Sequence, residues 1–217
     1  MTSYSVIGGT GALGKAIALR LAAAGHEVWI GSRDAGRAET AAREVVADVG
    51  GQVKGAAYAD AAAAADICFL AVPYAAQADT VAAVKDAVQG KILVDTTAPL
   101  KPPKVGTVQL PPAGSAAVET AQALGPGVRV VSALQTIGAE KLASGKPIDA
   151  DVLVASDDAE AAEVVRGVLS EMGLRSWHVG PLANSAAAEA MTSVLIQLNR
   201  RYKLGQAGIR ITGAPAA

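Results

Sequence analysis

The stretch Ser5-Val-Ile-Gly-Gly-Thr-Gly-Ala-Leu-Gly-Lys15 decides the fold of this 217-residue chain. An apolar run precedes the glycines, and an alanine-rich stretch of helical character, residues 16–24, follows them. In this strand–loop–helix setting a G-x-G-x-x-G pattern binds the pyrophosphate of a dinucleotide, with Gly9 at the tight turn, Gly11 facing the ligand and Gly14 against the strand. The amides that open the helix add a positive end for the phosphates.

Outside this stretch, short apolar runs alternate with alanine-rich stretches. Several apolar runs are almost continuous, which is typical of parallel strands covered on both faces. The alternation predicts an α/β fold of Rossmann type, a doubly wound and mainly parallel sheet with a small C-terminal α/β cap. The dinucleotide-binding domain would span residues 1–148, and the cap residues 149–217. Strands are predicted at residues 4–8, 27–31, 52–57, 66–72, 91–96, 129–134, 151–155 and 175–179, and helices at residues 12–24, 37–49, 75–88, 117–124, 159–172 and 184–204.

The end of the second predicted strand decides between NAD and NADP. An NAD site places Asp or Glu there to bind the ribose 2′-hydroxyl, whereas here the strand runs into Ser32 and Arg33, with Arg37 one turn later. Arg33 offers a planar, permanently charged fork for a 2′-phosphate, Ser32 a hydroxyl donor and Arg37 a second cation. Asp34 could compete as an acidic ligand but is better placed to cap the following helix. These charges predict NADP as the cofactor.

Two further strand ends should line the crevice for the nicotinamide. The fourth strand ends in Val72, Pro73 and Tyr74, an apolar wall in which Tyr74 either turns its hydroxyl to the ligand or packs at a helix start. The Asp-Thr-Thr stretch at residues 95–97 either gives hydroxyls to the ligand or makes turn and cap hydrogen bonds. Residues 97–114 hold five prolines and form either a lid or a simple crossover between the halves of the sheet.

Composition and charge exclude several classes of function. Hydrophobic residues make up 51% of the chain and the formal net charge is −1, so no global basic surface is available for a nucleic acid. One cysteine and two histidines predict neither a disulfide framework nor a metal site. The first residues lack the features of a signal peptide, and no apolar run has the length of a membrane span, which predicts a cytoplasmic protein without a membrane partner.

The sequence also lacks a recognisable catalytic side chain. None of its four tyrosines has a lysine four residues later, so the Tyr-x-x-x-Lys pair of short-chain oxidoreductases is absent. We interpret His26 as a surface histidine at the sheet end away from the crevice and Cys68 as a core residue in mid-strand. We interpret His178 as structural because it has no visible relay partner. A carbonyl reductase must protonate an alkoxide, whereas hydride exchange between two heterocyclic cofactors mainly needs their positioning in a dry, apolar crevice. No catalytic residue is therefore predicted.

Over residues 4–211 the sequence resembles the small F420H2:NADP+ oxidoreductases. The resemblance is carried by residues 8–15, 25–33 and 70–74, and by two more specific segments, Val131-Ser-Ala-Leu-Gln-Thr-Ile137 and Gly180-Pro-Leu-Ala-Asn-Ser185. It implies an NADP-dependent oxidoreductase of the 8-hydroxy-5-deazaflavin type. In this family the Rossmann domain binds NADP, a short C-terminal segment closes a pocket for coenzyme F420, and a hydride passes between nicotinamide C4 and deazaflavin C5.

The resemblance also assigns individual positions. Thr10, Ser32, Arg33 and Arg37 correspond to contacts with the NADP phosphates, and Ala12 and Leu13 belong to the glycine loop that we predict to bind the cofactor. The deazaflavin pocket corresponds to Ala133, Leu134, Gln135, Thr136 and Ile137 together with Pro181, Leu182, Asn184 and Ser185. The chain departs from the family pattern where Gln135, Gly138 and Ala186 replace histidine, proline and arginine.

Two other functions fit parts of the sequence. A small imine, pyrroline or hydroxyacid reductase would share the Rossmann half, but those enzymes usually carry a large helical C-terminal domain, and about one long helix follows Pro181 here. A catalytically silent NADP-binding module would bind NADP without turnover. The last predicted helix carries an apolar stripe that suits packing on the sheet or, alternatively, the seam of a dimer. We expect the protein to be a homodimer. The cations at its end suit either the helix dipole or an anionic coenzyme tail.

Overall fold

A mixed sheet runs through residues 2–213, the part of the chain that the computed structural model describes. Within it the strands follow the order β3-β2-β1-β4-β5-β6-β7-β8, and neighbours are parallel except for β6 and β7. Because the chain order reverses between β1 and β4, the crevice at their carboxyl ends is the expected ligand site. The strands are β1 Ser3–Ile7, β2 Glu27–Ser32, β3 Gln52–Ala57, β4 Ile67–Leu70, β5 Ile92–Asp95, β6 Arg129–Ser132, β7 Asp151–Ser156 and β8 Arg175–His178.

Helices connect the strands, and side-chain caps fix where three of them begin. Asp34, Ser115 and Asp158 accept hydrogen bonds from the amides three residues later, at 3.2, 3.1 and 2.9 Å. A 3-10 turn, Leu182–Asn184, precedes the last helix. The helices are α1 Ala12–Ala23, α2 Ala35–Val49, α3 Tyr58–Ala63, α4 Tyr74–Val84, α5 Ala116–Leu124, α6 Ala139–Ala143, α7 Ala159–Glu171 and α8 Ser185–Tyr202.

Apolar side chains fill the core on both faces of the sheet. On one face, α1, α2 and α7 pack against strand residues such as Phe69, and on the other, α3, α4 and α5 pack against residues such as Cys68. All four residues of β4 are buried, which is why the strand is continuously apolar. The Rossmann-type fold and its mainly parallel sheet are thus confirmed.

The predicted elements agree closely with the observed ones. All eight predicted strands are present, with ends that differ by one or two residues. Helix α4 ends at Val84 rather than at residue 88, and the short helices α3 and α6 were not predicted. Their five or six residues are too few to show a helical period.

Residues 149–213 continue the same sheet through the antiparallel pair β6 and β7. The predicted boundary after residue 148 falls in the connection between α6 and β7. Met1 and residues 214–217, the last part of the predicted cap, lie outside the described residues. No helix among residues 2–213 is long and apolar enough to cross a membrane.

Asp151, at the start of β7, ties the end of the chain to the sheet. Its buried carboxylate accepts hydrogen bonds from Arg175 Nε at 2.6 Å, Trp177 Nε1 at 3.0 Å and the Ile211 amide at 2.7 Å. Burial raises the pKa of Asp151, but these hydrogen bonds outweigh it and leave the pKa below its usual value. This contact fixes the C-terminal segment beside the loop that follows β6.

Candidate cofactor site

A cavity of about 530 Å³ opens at the carboxyl ends of β1, β4, β5 and β6. Its walls are the glycine loop, the end of β4, the connection after β5, the segment after β6 and one residue of α8, Thr192. Most of the lining side chains are apolar. Tyr74 carries the only ionisable side chain among the described residues that line it.

The glycine loop turns sharply from β1 into α1. The left-handed backbone of the turn lies on Gly8, with φ of +88°, and the Gly9 amide donates to the Val6 carbonyl at 3.1 Å. A Cβ at Gly14 would overlap the Gly8 carbonyl and lie 2.7 Å from Gly9 Cα, so the helix can pack this closely only with glycine. A Cβ at Gly11 would meet a single atom, at 3.4 Å, and Gly11 lines the cavity together with Ala12 and Leu13. Gly11 is therefore the open face of the loop.

A second, shallow cavity of about 430 Å³ lies between this loop and α2. Thr10 and Arg37 line it. Arg33 and Arg37 are exposed, and within residues 2–213 their side chains make no hydrogen bond or salt bridge. Asp34 is occupied as the cap of α2, and Ser32 accepts a hydrogen bond from the Asp34 amide at 3.3 Å. Two cations without partners are thus available for an anion, and Asp34 does not compete as a ligand.

The residues that follow β4 form an apolar wall of the central cavity. Val72, Pro73 and Tyr74 all line it. The Tyr74 hydroxyl donates to Glu119 Oε2 on α5 at 2.9 Å, and burial together with this carboxylate raises the pKa of Tyr74 to about 12. Of the two expected roles, the structure therefore favours packing at the helix start, with the hydroxyl committed to α5.

At the end of β5, most polar side chains are buried and hydrogen-bonded to the protein, and one hydroxyl is without a partner among the described residues. Asp95 is fully buried and accepts hydrogen bonds from Gln77 Nε2 at 3.0 Å, Thr120 Oγ1 at 2.6 Å and the Thr97 amide at 2.8 Å. Burial raises the pKa of Asp95. Thr96 donates to the Leu70 carbonyl at 2.9 Å, whereas Thr97 Oγ1 is buried without a partner and Thr97 lines the cavity. Thr97 is the residue of this stretch that can serve a ligand.

The segment after β6 brings an unusual backbone to the cavity. Leu134 has φ of +75°, a conformation that is uncommon for residues other than glycine and that often marks functional sites. Gln135 Nε2 donates to the Asp95 carbonyl and to Ser132 Oγ, both at 2.9 Å, while its Oε1 is buried without a partner. Leu134, Gln135 and Ile137 line the cavity, whereas Ala133 and Thr136 are buried behind it.

The long connection after β5 is both a crossover and a cavity wall. Leu100, Pro102 and Val105 line the cavity. The same loop rests on α8, where Ser193 Oγ donates to the Thr107 carbonyl at 3.3 Å. The loop therefore covers the site from one side, and α8 supports it.

The C-terminal set expected in the second pocket lies elsewhere. Leu182 is buried in a groove between α5 and β6, and Pro181 is exposed. Asn184 Nδ2 donates to the Val179 carbonyl at 2.6 Å, and Ser185 Oγ donates to Ser115 Oγ at 2.7 Å. None of the four lines the central cavity; Ser185 instead anchors the start of α8 to the start of α5.

Two residues of α8 support the site although sequence reasoning did not single them out for it. Thr192 lines the cavity, and its Oγ1 donates to the Gln135 carbonyl at 2.9 Å. Glu189 is almost fully buried and accepts hydrogen bonds from the amides of Ala116 at 2.7 Å and Ala117 at 3.1 Å, which open α5. Burial outweighs these hydrogen bonds and raises the pKa of Glu189 to about 7. The sequence signal that could have identified Glu189 is a single acidic residue among the mostly apolar and small residues of this helix.

The residues interpreted as structural lie away from the cavity. His26 Nε2 is 2.8 Å from Glu171 Oε2, and its ring packs edge-on against Tyr4. Cys68 is fully buried in the core, and His178 Nε2 is buried without a partner among the described residues. Within residues 2–213 no cluster of three or more His, Cys, Asp or Glu side chains is arranged to hold a metal ion.

Comparison with known proteins extends over both halves of the chain. Residues 3–99 match the family model described as NADP oxidoreductase, coenzyme F420-dependent. The chain is 42% identical over 221 residues to the F420-dependent NADP reductase of Methanothermobacter thermautotrophicus, and the match covers 97% of this chain and 95% of that protein.

Solved structures agree with this relationship. A protein from Arthrobacter sp. FB24, described as an F420-dependent NADP reductase, superposes with a TM-score of 0.84 at 28% identity, covering 98% of this chain and 100% of that one. An imine reductase from Bacillus cereus superposes with a TM-score of 0.67 at 18% identity, covering 94% of this chain and 62% of that one. The second likeness extends to the fold alone.

Proposed function

This chain belongs to the family of F420-dependent NADP reductases, and we propose that its central cavity holds the nicotinamide of NADP against the deazaflavin of coenzyme F420. The protein is an NADP-dependent oxidoreductase that transfers a hydride between these two cofactors. One observation carries the assignment of the site: the glycine loop, the end of β4 and the segment with Leu134, Gln135 and Ile137 converge on one apolar cavity at the carboxyl ends of the strands.

The donors around the first two helices fit NADP. Gly9, Gly11 and Gly14 allow a pyrophosphate to approach the amides at the start of α1, where the helix dipole favours negative charge. Thr10 and Arg37 line the shallow cavity beside this loop, and the unpaired guanidinium of Arg33 follows β2. Together they suit a 2′-phosphate, which NADP carries and NAD lacks.

The central cavity fits two stacked rings. Val72, Pro73, Leu134 and Ile137 supply apolar walls that exclude water. Two buried polar atoms, Thr97 Oγ1 and Gln135 Oε1, have no partner in the described structure. Since buried polar groups are almost always hydrogen-bonded, these atoms are suited to the amide and imide groups of bound rings. We expect both residues to orient a ring rather than to act as acids or bases.

The reaction itself needs little from the protein beyond position. The reaction would transfer a hydride from NADPH to the deazaflavin ring, with a proton taken up from the solvent outside the interface of the two rings, and would leave NADP+ and reduced F420. Among the described residues, the cavity lining has no ionisable side chain apart from Tyr74, whose hydroxyl is bonded to Glu119. The chain therefore contributes by orienting the two rings and by keeping water out, and we assign no catalytic residue.

The remaining residues of the second pocket act indirectly in this proposal. Ala133 and Thr136 support the loop that carries Leu134 and Gln135. Residues 181–185 lead into α8, whose Thr192 reaches the cavity. A cytoplasmic homodimer is a further part of the proposal. The exposed Val194 on α8 offers apolar surface to a second copy, and sedimentation velocity of the purified protein tests the dimer.

The proposed function is tested by mixing the protein with NADPH and oxidised F420. We expect the deazaflavin absorbance to bleach, with one NADPH oxidised per F420 reduced. Replacing NADPH with NADH is the control and should give much slower bleaching. If NADPH binds but the absorbance persists, the assignment of F420 as the hydride acceptor is wrong.

A further inference from the structure

Two segments that flank the central cavity carry cations and no acidic residue. Residues 96–118 contain Lys101 and Lys104, and residues 190–213 contain three arginines and a lysine, without any Asp or Glu in either segment. The whole chain has 19 Lys and Arg against 20 Asp and Glu, so the separation of charge is local.

The two segments meet beside the cavity. In the loop after β5, Lys101 and Lys104 alternate with the residues that line the cavity, and Lys101 Nζ lies 5.6 Å from the centre of the Tyr74 ring, which is itself part of the wall. The loop reaches α8 at Arg200, where a Cβ at Gly106 would lie 3.7 Å from the Arg200 guanidinium. We call Lys101, Lys104 and Arg200 the cationic rim.

The cationic rim has no counter-charge of its own. All three side chains belong to exposed residues, and none forms a salt bridge within the described part of the chain. The dipole of α8 accounts for a cation at Arg200, since that residue lies in the last turn of the helix. It does not account for Lys101 and Lys104, which lie in an irregular loop. Unpaired cations at the edge of a cavity attract an anionic ligand.

We propose that the cationic rim binds the anionic tail of coenzyme F420, its phosphodiester and glutamate carboxylates. This inference rests on the proposed function. The phosphates of NADP have separate candidate contacts in the glycine loop, Arg33 and Arg37, so the rim is left for the second cofactor. The apolar cavity holds the deazaflavin ring, and the rim holds the charged chain attached to it.

The test compares F420 with 8-hydroxy-5-deazariboflavin, which has the same ring but lacks the phosphodiester and the glutamates. In the native protein the KM should be lower for F420 than for 8-hydroxy-5-deazariboflavin. Raising the NaCl concentration should reduce the difference between the two KM values. The triple variant Lys101→Ala, Lys104→Ala, Arg200→Ala should raise the KM for F420 by about tenfold, from three exposed ion pairs of modest strength each. The KM for 8-hydroxy-5-deazariboflavin and the KM for NADPH should stay the same.

A matched control removes Arg201, which neighbours Arg200 on α8 but lies over the Tyr202 ring. Arg201→Ala removes the same single positive charge as Arg200→Ala alone and, unlike that variant, should leave all three KM values unchanged. A rise in the KM for NADPH in the triple variant would assign the rim to NADP, and an unchanged KM for F420 would overturn the proposal. A native protein that reduces the analogue but shows no preference for F420 refutes the rim alone. One that reduces neither deazaflavin refutes the proposed function and the rim with it.

Discussion

The two parts of the proposed cofactor site are built in different ways. The proposed site for the phosphates of NADP lies between β1 and the first turn of α2, within about 30 consecutive residues, and consists of open backbone and exposed cations. The second site joins residues from Val72 to Thr192 and depends on buried side chains that hold one another. A local motif therefore determines the first site, whereas tertiary contacts determine the second. Variants in each site can test this contrast.

The largest effect on stability is expected at Gly14, where the glycine loop leaves no space for a side chain. Gly14→Val would place side-chain atoms against the backbone of Gly8 and Gly9, which cannot move aside as a side chain can. We expect the free energy of unfolding to fall by about 3 kcal/mol, at the upper end for overpacking. Urea unfolding followed by circular dichroism measures the change.

Gly11→Ala is the matched control, because only one atom, at 3.4 Å, lies near its added Cβ. This variant should unfold within about 1 kcal/mol of the native protein. Its Kd for NADP should nevertheless rise about tenfold, as expected if charge-assisted hydrogen bonds from the loop amides are weakened. Equal loss of stability in both variants would contradict the separate roles of the two glycines.

This contrast also explains how far the sequence could be interpreted. Most strands were predictable because they carry a short apolar run of their own, and the glycine loop and Arg33 because their pattern lies within one βαβ unit. Asp95, Gln135 and Thr192 form one network across about 100 residues of sequence, and no local pattern connects them. Residues 181–185 match a family segment, but none of the four residues assigned from it lines the central cavity, so their role in the deazaflavin pocket stays a prediction.

An effect of similar size is expected for Glu189, which supports the site built from tertiary contacts. A raised carboxyl pKa means that the folded protein keeps a proton which the unfolded chain has already lost, so stability should fall as the pH rises from about 4.5 to about 7. The expected slope is about 1.4 kcal/mol per pH unit within this window. Urea unfolding at intervals between pH 4.5 and pH 8 measures it.

Glu189→Gln tests the origin of this slope. The amide cannot ionise, so the stability of the variant should depend less steeply on pH. The slope that remains comes from Asp95, whose pKa is also raised. A slope as steep as that of the native protein would show that Glu189 is not the titrating group.

A smaller effect, on the KM for NADP, is expected at Arg33, which belongs to the site built from the local motif. Arg33→Ala removes a guanidinium without a partner, so the fold should be unaffected. The KM for NADP should rise about tenfold, the equivalent of one charge-assisted contact, and the KM for NAD should not change. Steady-state kinetics with both cofactors measures the ratio, and Arg43→Ala, which removes an exposed cation bonded to Thr40, is the control. A parallel rise for NAD and NADP would refute the contact with the 2′-phosphate.

The smallest effect is expected at Thr192, which positions the loop of the second site. Thr192→Val keeps the shape of the side chain but leaves the Gln135 carbonyl without its 2.9 Å hydrogen bond, at a cost of about 1 kcal/mol. Because Gln135 lines the cavity, we expect a rise of about fivefold in the KM for F420 and no change for NADPH. Thr192→Ser retains the hydroxyl and should restore the native KM. If Val and Ser behave alike, packing rather than the hydrogen bond holds the loop, and if the KM for NADPH rises as well, the two sites are less separate than their construction indicates.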